Sequence, residues 1–560
     1  MTAKAPRPPQ NQPGFWPDML WLSIVLGALF FVFLGNRPLF VPDEGRYAEI
    51  AREMFNSGDY VTPTLNGIRY FEKPPLFYWL ETIAIHFGGL NLWSLRSINA
   101  LLGLLGCLAT YAISRHLFNR LTGLLSALIL STSLLYFTMT HMISLDMPVT
   151  LFITLSLYLF LTGTNLADGF SRRICCWSAA SAAALAVLCK GLIGLLFPLM
   201  IIGAWISITG QWRLLKRLYL PSSLLLFGLI ALPWHWLVNL RNPGFFHFYF
   251  IEQHFLRYAT TDIGHYQPVW FFIPCLILGF FPWIFFLPQT LAAAISRSIR
   301  HLKQQTATLF FLVWAIMIFA FFSFSKSKLI PYILPLFPAL AILTGHHLAE
   351  LIQQNKIIRL KISFCCLFIG AIIIAYALNQ YTFSAALPHP ALAKHYLNAA
   401  GILLLLGSLA ACLFAFRNDA KAIGITVITS GLFSLSLLGA APAIDARTIL
   451  PFAQKIKPLL TAGDEVMTIN QYYQDLPFYL ERRVSIVNWR NELSYGMQQQ
   501  DTHEWMINTA TFWQRWHSKQ RVFAVLGLDE YAQLVTKNPN ETIFLLGKTP
   551  NNALICNQPI

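Results

Sequence analysis

Acids and bases crowd a few short stretches of an otherwise apolar chain. Asp43-Glu-Gly-Arg-Tyr47 and Tyr70-Phe-Glu-Lys-Pro-Pro-Leu-Phe-Tyr-Trp79 share the loop 37–93. Ser144-Leu-Asp-Met-Pro148, Lys190-Gly191, Glu252-Gln-His-Phe-Leu-Arg-Tyr258 and Ser325-Lys-Ser-Lys-Leu-Ile-Pro-Tyr332 follow. Charges held near a bilayer are costly and mark substrate or ion sites. Acids beside cations suit a reaction between membrane-bound phosphate compounds, in which cations stabilise a phosphate leaving group. Each motif also has a plainer reading. Asp43 could cap an amphipathic helix over 43–57, whose apolar Tyr47, Ile50, Ala51 and Met54 suit a helix lying on the membrane. Arg46, one turn on, could pair with Asp43 or bind a phosphate. Glu72 and Lys73, fixed by Pro74 and Pro75, could be an interfacial salt bridge. Asp146 could be a helix cap. Lys190, Lys326 and Lys328 could be snorkelling lysines. His254 could be an ordinary hydrogen-bonding residue or, with Glu72 nearby, a metal ligand. Glu44, Tyr47 and Tyr70 are further candidates for substrate contact in the first loop.

Composition fixes what must position these groups. The chain of 560 residues is 56% hydrophobic and 12% charged, with mean hydropathy +0.54. A soluble domain carries about 25% charged residues, so this is a multi-span helical membrane protein. Thirteen apolar runs approach the ~20 residues a span needs, at 18–36, 94–114, 121–140, 144–164, 174–190, 192–209, 219–238, 268–290, 307–324, 329–350, 361–379, 399–416 and 421–441. The first is read as a retained span after a disordered cytoplasmic tail, 1–17. The stretch 75–90, with Glu81 and His86, reads as an interfacial helix. On this count alternate loops hold the cations: Arg115 and Arg120, Arg172 and Arg173, Arg213 to Arg217, Arg297 to Lys303, Lys356 to Lys361, Arg417 and Lys421, with Lys4 and Arg7 in the tail. That side is cytoplasmic by the positive-inside rule. Every acid–base motif then faces outward.

The net charge of +15 is spread over short loops, which argues against nucleic-acid binding. Eight of the nine cysteines lie in apolar segments, so no disulfide framework is expected. No phosphate loop or dinucleotide fingerprint is present, and no nucleotide is expected. From residue 442 polar residues return. Runs at 465–469, 484–487, 521–526 and 542–546 read as strands and 504–517 as a helix, a small α/β domain outside the membrane. A transporter would show paired broken helices and inverted repeats; none is evident.

Taken in order over about residues 15–450, the motifs resemble the aminoarabinose transferases that modify lipid A, GT-C glycosyltransferases related to protein O-mannosyltransferases. The resemblance implies a GT-C fold of about thirteen spans over 18–441 with a periplasmic α/β domain over 442–560. It implies transfer of 4-amino-4-deoxy-L-arabinose from undecaprenyl phosphate to a lipid A phosphate at the periplasmic face of the inner membrane, giving resistance to polymyxin. Another polyprenyl-linked sugar or another acceptor (lipopolysaccharide core or protein) is the alternative. Carried over to this sequence, Asp43 is the essential acid and Asp146 a second acid. Lys73 is catalytic and, with Arg46, Lys190, Arg257 and Tyr332, surrounds the donor phosphate. Glu72 and His254 are ligands of a divalent metal, zinc. The partners expected are the lipid-linked donor, lipid A and the bilayer, with a monomeric chain.

Overall fold

Lipid offers no partner to a peptide N–H or C=O, so spanning segments must satisfy their backbone internally, as helices do. The computed structural model describes residues 14–260, 265–300, 302, 305–354, 358–383, 387 and 389–560. Among them nine helices are long and apolar enough to cross a membrane, a bent pair supplies a tenth, and three shorter apolar helices accompany them. These fall on the thirteen segments expected from sequence.

Local departures have local causes. The segment 121–140 is bent by 69° between Arg120–Thr132 and Leu134–Thr140. There the hydroxyls of Ser131, Thr132 and Ser133 donate to the carbonyls of Leu128 and Ile129, competing with the helix ladder. The segment 268–290 breaks after Phe272–Gly279 and resumes at Leu287–Arg300, because Pro282 between them has no N–H to donate. The first helix is Phe15–Phe31, so residues 15–17 are helical rather than tail; residues 1–13 lie outside the described residues, as do Lys303 and Lys356. Asp18 at the start of that helix pairs with Arg115 and Arg120, each at 2.6 Å. The first helix thus begins at the same end of the bundle as the first basic loop.

Loop 37–93 folds into three pieces. The helix Asp43–Ser57 comes first. A hairpin of β1 (Thr64–Leu65) and β2 (Ile68–Arg69) follows, turning on Asn66 and Gly67, both at positive φ, as a two-residue hairpin turn requires. The last piece is the helix Leu76–Gly88, of 13 residues, too short to span. It matches the expected interfacial element.

The C-terminal region is built on a six-stranded sheet in the order β5-β4-β3-β6-β8-β7, with β3 (Glu465–Ile469), β4 (Ser485–Val487), β5 (Met506–Ile507), β6 (Val522–Gly527), β7 (Phe544–Lys548) and β8 (Asn552–Cys556). Pairs among β3, β4, β5 and β6 are parallel; β8 runs antiparallel to β6 and β7. The four strands expected are present. Two were missed, and the expected helix 504–517 contains one of them, β5. The helix proper is Thr509–Trp516, started by the Asn508 side chain accepting from Thr511 N at 2.9 Å.

The amphipathic face of Asp43–Ser57 does not lie on lipid as expected. Ala48, Ile50, Ala51 and Met54 are buried in one core with Phe452, Tyr472, Tyr473 and Leu476 of the C-terminal domain. Gly45 permits this contact: a Cβ there would stand 2.7 Å from Asp475 N. The hairpin tip docks on the same domain, Asn66 Nδ2 donating to Val484 O and Val484 N donating to Asn66 Oδ1, both at 2.9 Å. The outer loop and the C-terminal domain therefore form one body.

Candidate active site

Next to Asp43, and buried beneath the loop, Glu44 anchors the whole outer segment. Its oxygens accept from Arg37 at 2.6 and 2.8 Å, from Arg96 at 3.0 and 2.9 Å, and from the backbone N–H of Phe40 and Ile143 at 2.7 and 2.9 Å. Burial pushes its carboxyl up, but Arg37 and Arg96 outweigh burial and hold it at about 2. Arg96 also donates to the carbonyls of Leu34, Arg37 and Pro38, each at 2.8 Å, which engages the full guanidinium fork. Glu44, a candidate for substrate contact, thus has both oxygens committed inside the protein; its role is to fix the loop. Breaking such a buried pair costs roughly 3–5 kcal/mol because a lone charge is left behind. Arg96→Met should therefore lower the thermal unfolding midpoint of detergent-purified protein sharply, and an unchanged midpoint would refute this anchor.

Above the anchor the expected residues converge. Asp43 is the first residue of its helix, one place inside the cap position held by Pro42. Its side chain keeps 46% exposure while Arg46 Nη1 holds it at 2.8 Å. The other arm of Arg46 reaches Glu492 at 2.6 Å, and Gln474 Nε2 donates to the second Glu492 oxygen at 2.8 Å. Tyr47 and Tyr70 are buried beside Arg46. Lys190 ends the helix Phe170–Lys190 and pairs with Asp146, with its ammonium 4.5 Å from the Tyr332 ring centroid. Arg257 reaches Glu72 at 3.4 Å and Gln253 at 3.1 Å.

Lys73 is different. It makes no hydrogen bond or ion pair among the described residues, although Arg257, Lys190 and Arg46 all act on it. Burial, then the Arg257 charge, drives its ammonium down to about 7, against the opposing pull of Glu72. The buried Nε of Arg46 also lacks a partner. A half-buried ammonium among cations, beside an orphaned guanidinium donor, is a pair of groups that an anion would satisfy.

Glu72 and His254 do not form a metal site closed by protein ligands. Glu72 is paired with Arg257. His254 Nδ1 bonds Tyr249 O at 2.6 Å and its Nε2 accepts from Leu192 N at 3.3 Å. The Gly191 turn, at φ 96, packs against that nitrogen, and a Cβ at Gly191 would lie 2.2 Å from it. No group of three His, Cys, Asp or Glu suited to a metal occurs among the described residues, whereas zinc takes about four ligands. Burial and the nearby Lys73 and Arg257 charges hold His254 at about 4, hence neutral. Of the other candidates, Lys326 is exposed. Lys328 is buried and donates to the carbonyls of Gln267 and Ser325, a strut for the turn rather than a free cation.

Comparison with known proteins decides the family. Residues 37–249 match the family model described as dolichyl-phosphate-mannose-protein mannosyltransferase, and residues 452–548 match the aminoarabinose transferase C-terminal domain. An undecaprenyl phosphate-alpha-4-amino-4-deoxy-L-arabinose arabinosyl transferase of Erwinia tasmaniensis is 28% identical over 90% of this chain and 91% of its own. That of Proteus mirabilis is 35% identical over 65% of this chain and 66% of its own. The crystal structure of ArnT from Cupriavidus metallidurans bound to undecaprenyl phosphate superposes with TM-score 0.84 at 29% identity, covering 98% of this chain and 99% of that one. The chain belongs to the aminoarabinose transferases, GT-C glycosyltransferases.

Within this family member, Asp43, Arg46, Tyr47, Tyr70, Glu72, Lys73, Asp146, Lys190, Arg257 and Tyr332 lie within electrostatic reach of one another as one group, with Lys190 seated on the Tyr332 ring. Sequence reading missed Glu492, which the C-terminal domain delivers to Arg46, and the anchor partners Arg37 and Arg96. The signal for Arg96 was present: an arginine inside an apolar segment demands a carboxylate. Nothing local marks Glu492, which sits in an ordinary polar stretch.

Proposed function

We propose that this chain moves 4-amino-4-deoxy-L-arabinose from undecaprenyl phosphate to a phosphate of lipid A, at the periplasmic face of the bacterial inner membrane. The carrying observation is the unpaired, half-buried Lys73 beside the orphaned Arg46 Nε, a place for the donor phosphate. The bond from the anomeric carbon to the carrier phosphate breaks, and the carrier leaves with an added negative charge that Lys73, Arg46 and Arg257 neutralise. An oxygen of the acceptor phosphate forms the new bond. That oxygen is largely deprotonated near neutral pH, so no strong base is required. Asp43, half-exposed and steadied by Arg46, stabilises positive charge developing at the anomeric carbon. Asp146 keeps Lys190 in place under Tyr332 as a positioning pair. Glu492, with one oxygen on Arg46 and the other on Gln474, holds the Arg46 guanidinium in place from the C-terminal domain.

The deciding experiment is mass spectrometry of lipid A from cells with and without this gene. Aminoarabinose on the phosphates is the expected result. Lipid A unchanged, with sugar found on core oligosaccharide or protein, would overturn the acceptor.

A zinc ion at Glu72 and His254 belongs to the same proposal as an open, two-residue site. The Nδ1 bond to Tyr249 orients the ring, and His254 would hold the ion through Nε2 by giving up the Leu192 N–H that it accepts at 3.3 Å. Metal analysis of protein purified with undecaprenyl phosphate should find zinc that is lost in His254→Ala. Zinc content equal in wild type and variant would exclude this pair as ligands.

A further inference from the structure

One short segment of the C-terminal domain, Asn491–Leu493 running into Ser494–Gln498, touches three site-bearing stretches that lie far apart in the chain. Glu492 reaches Arg46 on the helix Asp43–Ser57 at 2.6 Å. Gly496 packs so closely on β2 that a Cβ there would overlap the Arg69 carbonyl oxygen, which seats the segment beside Tyr70 and Phe71, just ahead of Glu72 and Lys73. Between these two contacts, one turn on from Glu492, lies Tyr495. Its ring stacks on Phe248, with centroids 3.9 Å apart and planes at 15°, and meets Phe71 in a T-shaped contact at 6.1 Å and 76°. Phe248 belongs to the helix His247–Leu256, which runs directly into Arg257. Phe71 is buried and is the chain neighbour of Glu72.

Tyr495 therefore spans the two stretches whose charges meet as the Glu72–Arg257 pair. That pair cannot fix their separation alone. Arg257 reaches Glu72 at 3.4 Å and otherwise Gln253, on its own helical stretch, at 3.1 Å; both are long beside the ~2.7–2.9 Å of a strong charge-assisted bond. Rigid rings supply the missing constraint, since they pack with defined geometry and lose little freedom. The Tyr495 hydroxyl makes no hydrogen bond among the described residues, so the ring is the working part. We propose that Tyr495 is a positioning residue for the transfer: it holds the Arg257 stretch against Glu72 and Lys73, so that the cations of Arg257 and Lys73 face one donor phosphate. The same segment steadies Arg46 through Glu492, and the C-terminal domain thereby completes the donor site. The proposal rests on the donor phosphate lying at Lys73, Arg46 and Arg257.

Calorimetry of undecaprenyl phosphate binding to the full chain in nanodiscs tests it through a double-mutant cycle. Tyr495→Ala should weaken binding about tenfold, the worth of one aromatic stack, and Tyr495→Phe, which keeps the ring, should restore it. Arg257→Gln should weaken binding by itself. In the Arg257→Gln background Tyr495→Ala should add nothing, because Tyr495 acts through Arg257; a general loss of packing would add in full. Phe248→Leu removes the stack from its other side and should reproduce the loss, which keeps the test decisive where Tyr495→Ala folds poorly. Binding unchanged in Tyr495→Ala and Phe248→Leu, or weakened equally in both backgrounds, overturns the proposal. Equal losses in Tyr495→Phe and Tyr495→Ala overturn the role of the ring. Wild-type binding in Arg257→Gln would instead remove Arg257 from the donor phosphate, the reading beneath this one.

Discussion

Asp43→Asn should lower sugar transfer by about a thousandfold, while expression, monodispersity and binding of undecaprenyl phosphate stay near wild type. The substitution is close to isosteric, and the remaining Oδ1 can still accept from Arg46, which holds the present carboxylate at 2.8 Å. What disappears is the negative charge at a half-exposed side chain placed beside the phosphate cations. Removing one aligned electrostatic stabiliser costs about a hundredfold to a thousandfold in turnover. The upper end is expected here because no other carboxylate of the cluster is as free. Glu72 is paired with Arg257, Asp146 with Lys190, and Glu492 with Arg46 and Gln474. Turnover within tenfold of wild type would remove Asp43 from the reaction.

Lys73→Gln should weaken undecaprenyl phosphate binding by about ten- to a hundredfold, the worth of a charge-assisted contact made out of bulk water. It should also change the pH dependence. In the anion-free chain burial and neighbouring cations hold Lys73 at about 7, and a bound phosphate raises that value. Between the free and bound values, the free lysine is neutral and the bound one charged, so binding takes up a proton and weakens as pH rises above about 7. Below about 6 the phosphate itself gains a proton, so affinity should peak between about pH 6 and pH 7. Calorimetry in two buffers of different ionisation enthalpy measures the proton taken up. In Lys73→Gln the uptake on the alkaline side should vanish; an unchanged uptake would assign it to another group.

These two residues were readable as candidates before any coordinates. An acid and a base in an apolar chain are conspicuous, and prolines at 74 and 75 mark a fixed entry. Their division of labour was less readable. Glu44, adjacent to Asp43 and of the same chemical type, proved to be the structural member, because only burial and partner geometry separate an anchor from a reactive acid. Lys326 and Lys328 looked equivalent in sequence. One is exposed and the other is tied to two carbonyls. The helix Asp43–Ser57 shows a further limit: its apolar face was legible, but a periodic stripe does not say whether lipid or protein covers it.

The sequence by itself determined the membrane class, the places of the thirteen apolar segments, four of the six C-terminal strands and the stretches that bear the chemistry. These follow from short-range rules, since hydrocarbon forces each long apolar run into a helix and strand residues alternate locally. Only the tertiary structure decided that the C-terminal domain closes over the first loop, through Gly45 against Asp475 and Asn66 against Val484, and that Glu492 thereby reaches Arg46. Those contacts join residues more than 400 positions apart. No local pattern encodes them; shape fit and the pairing of buried charges select them once the helices have packed.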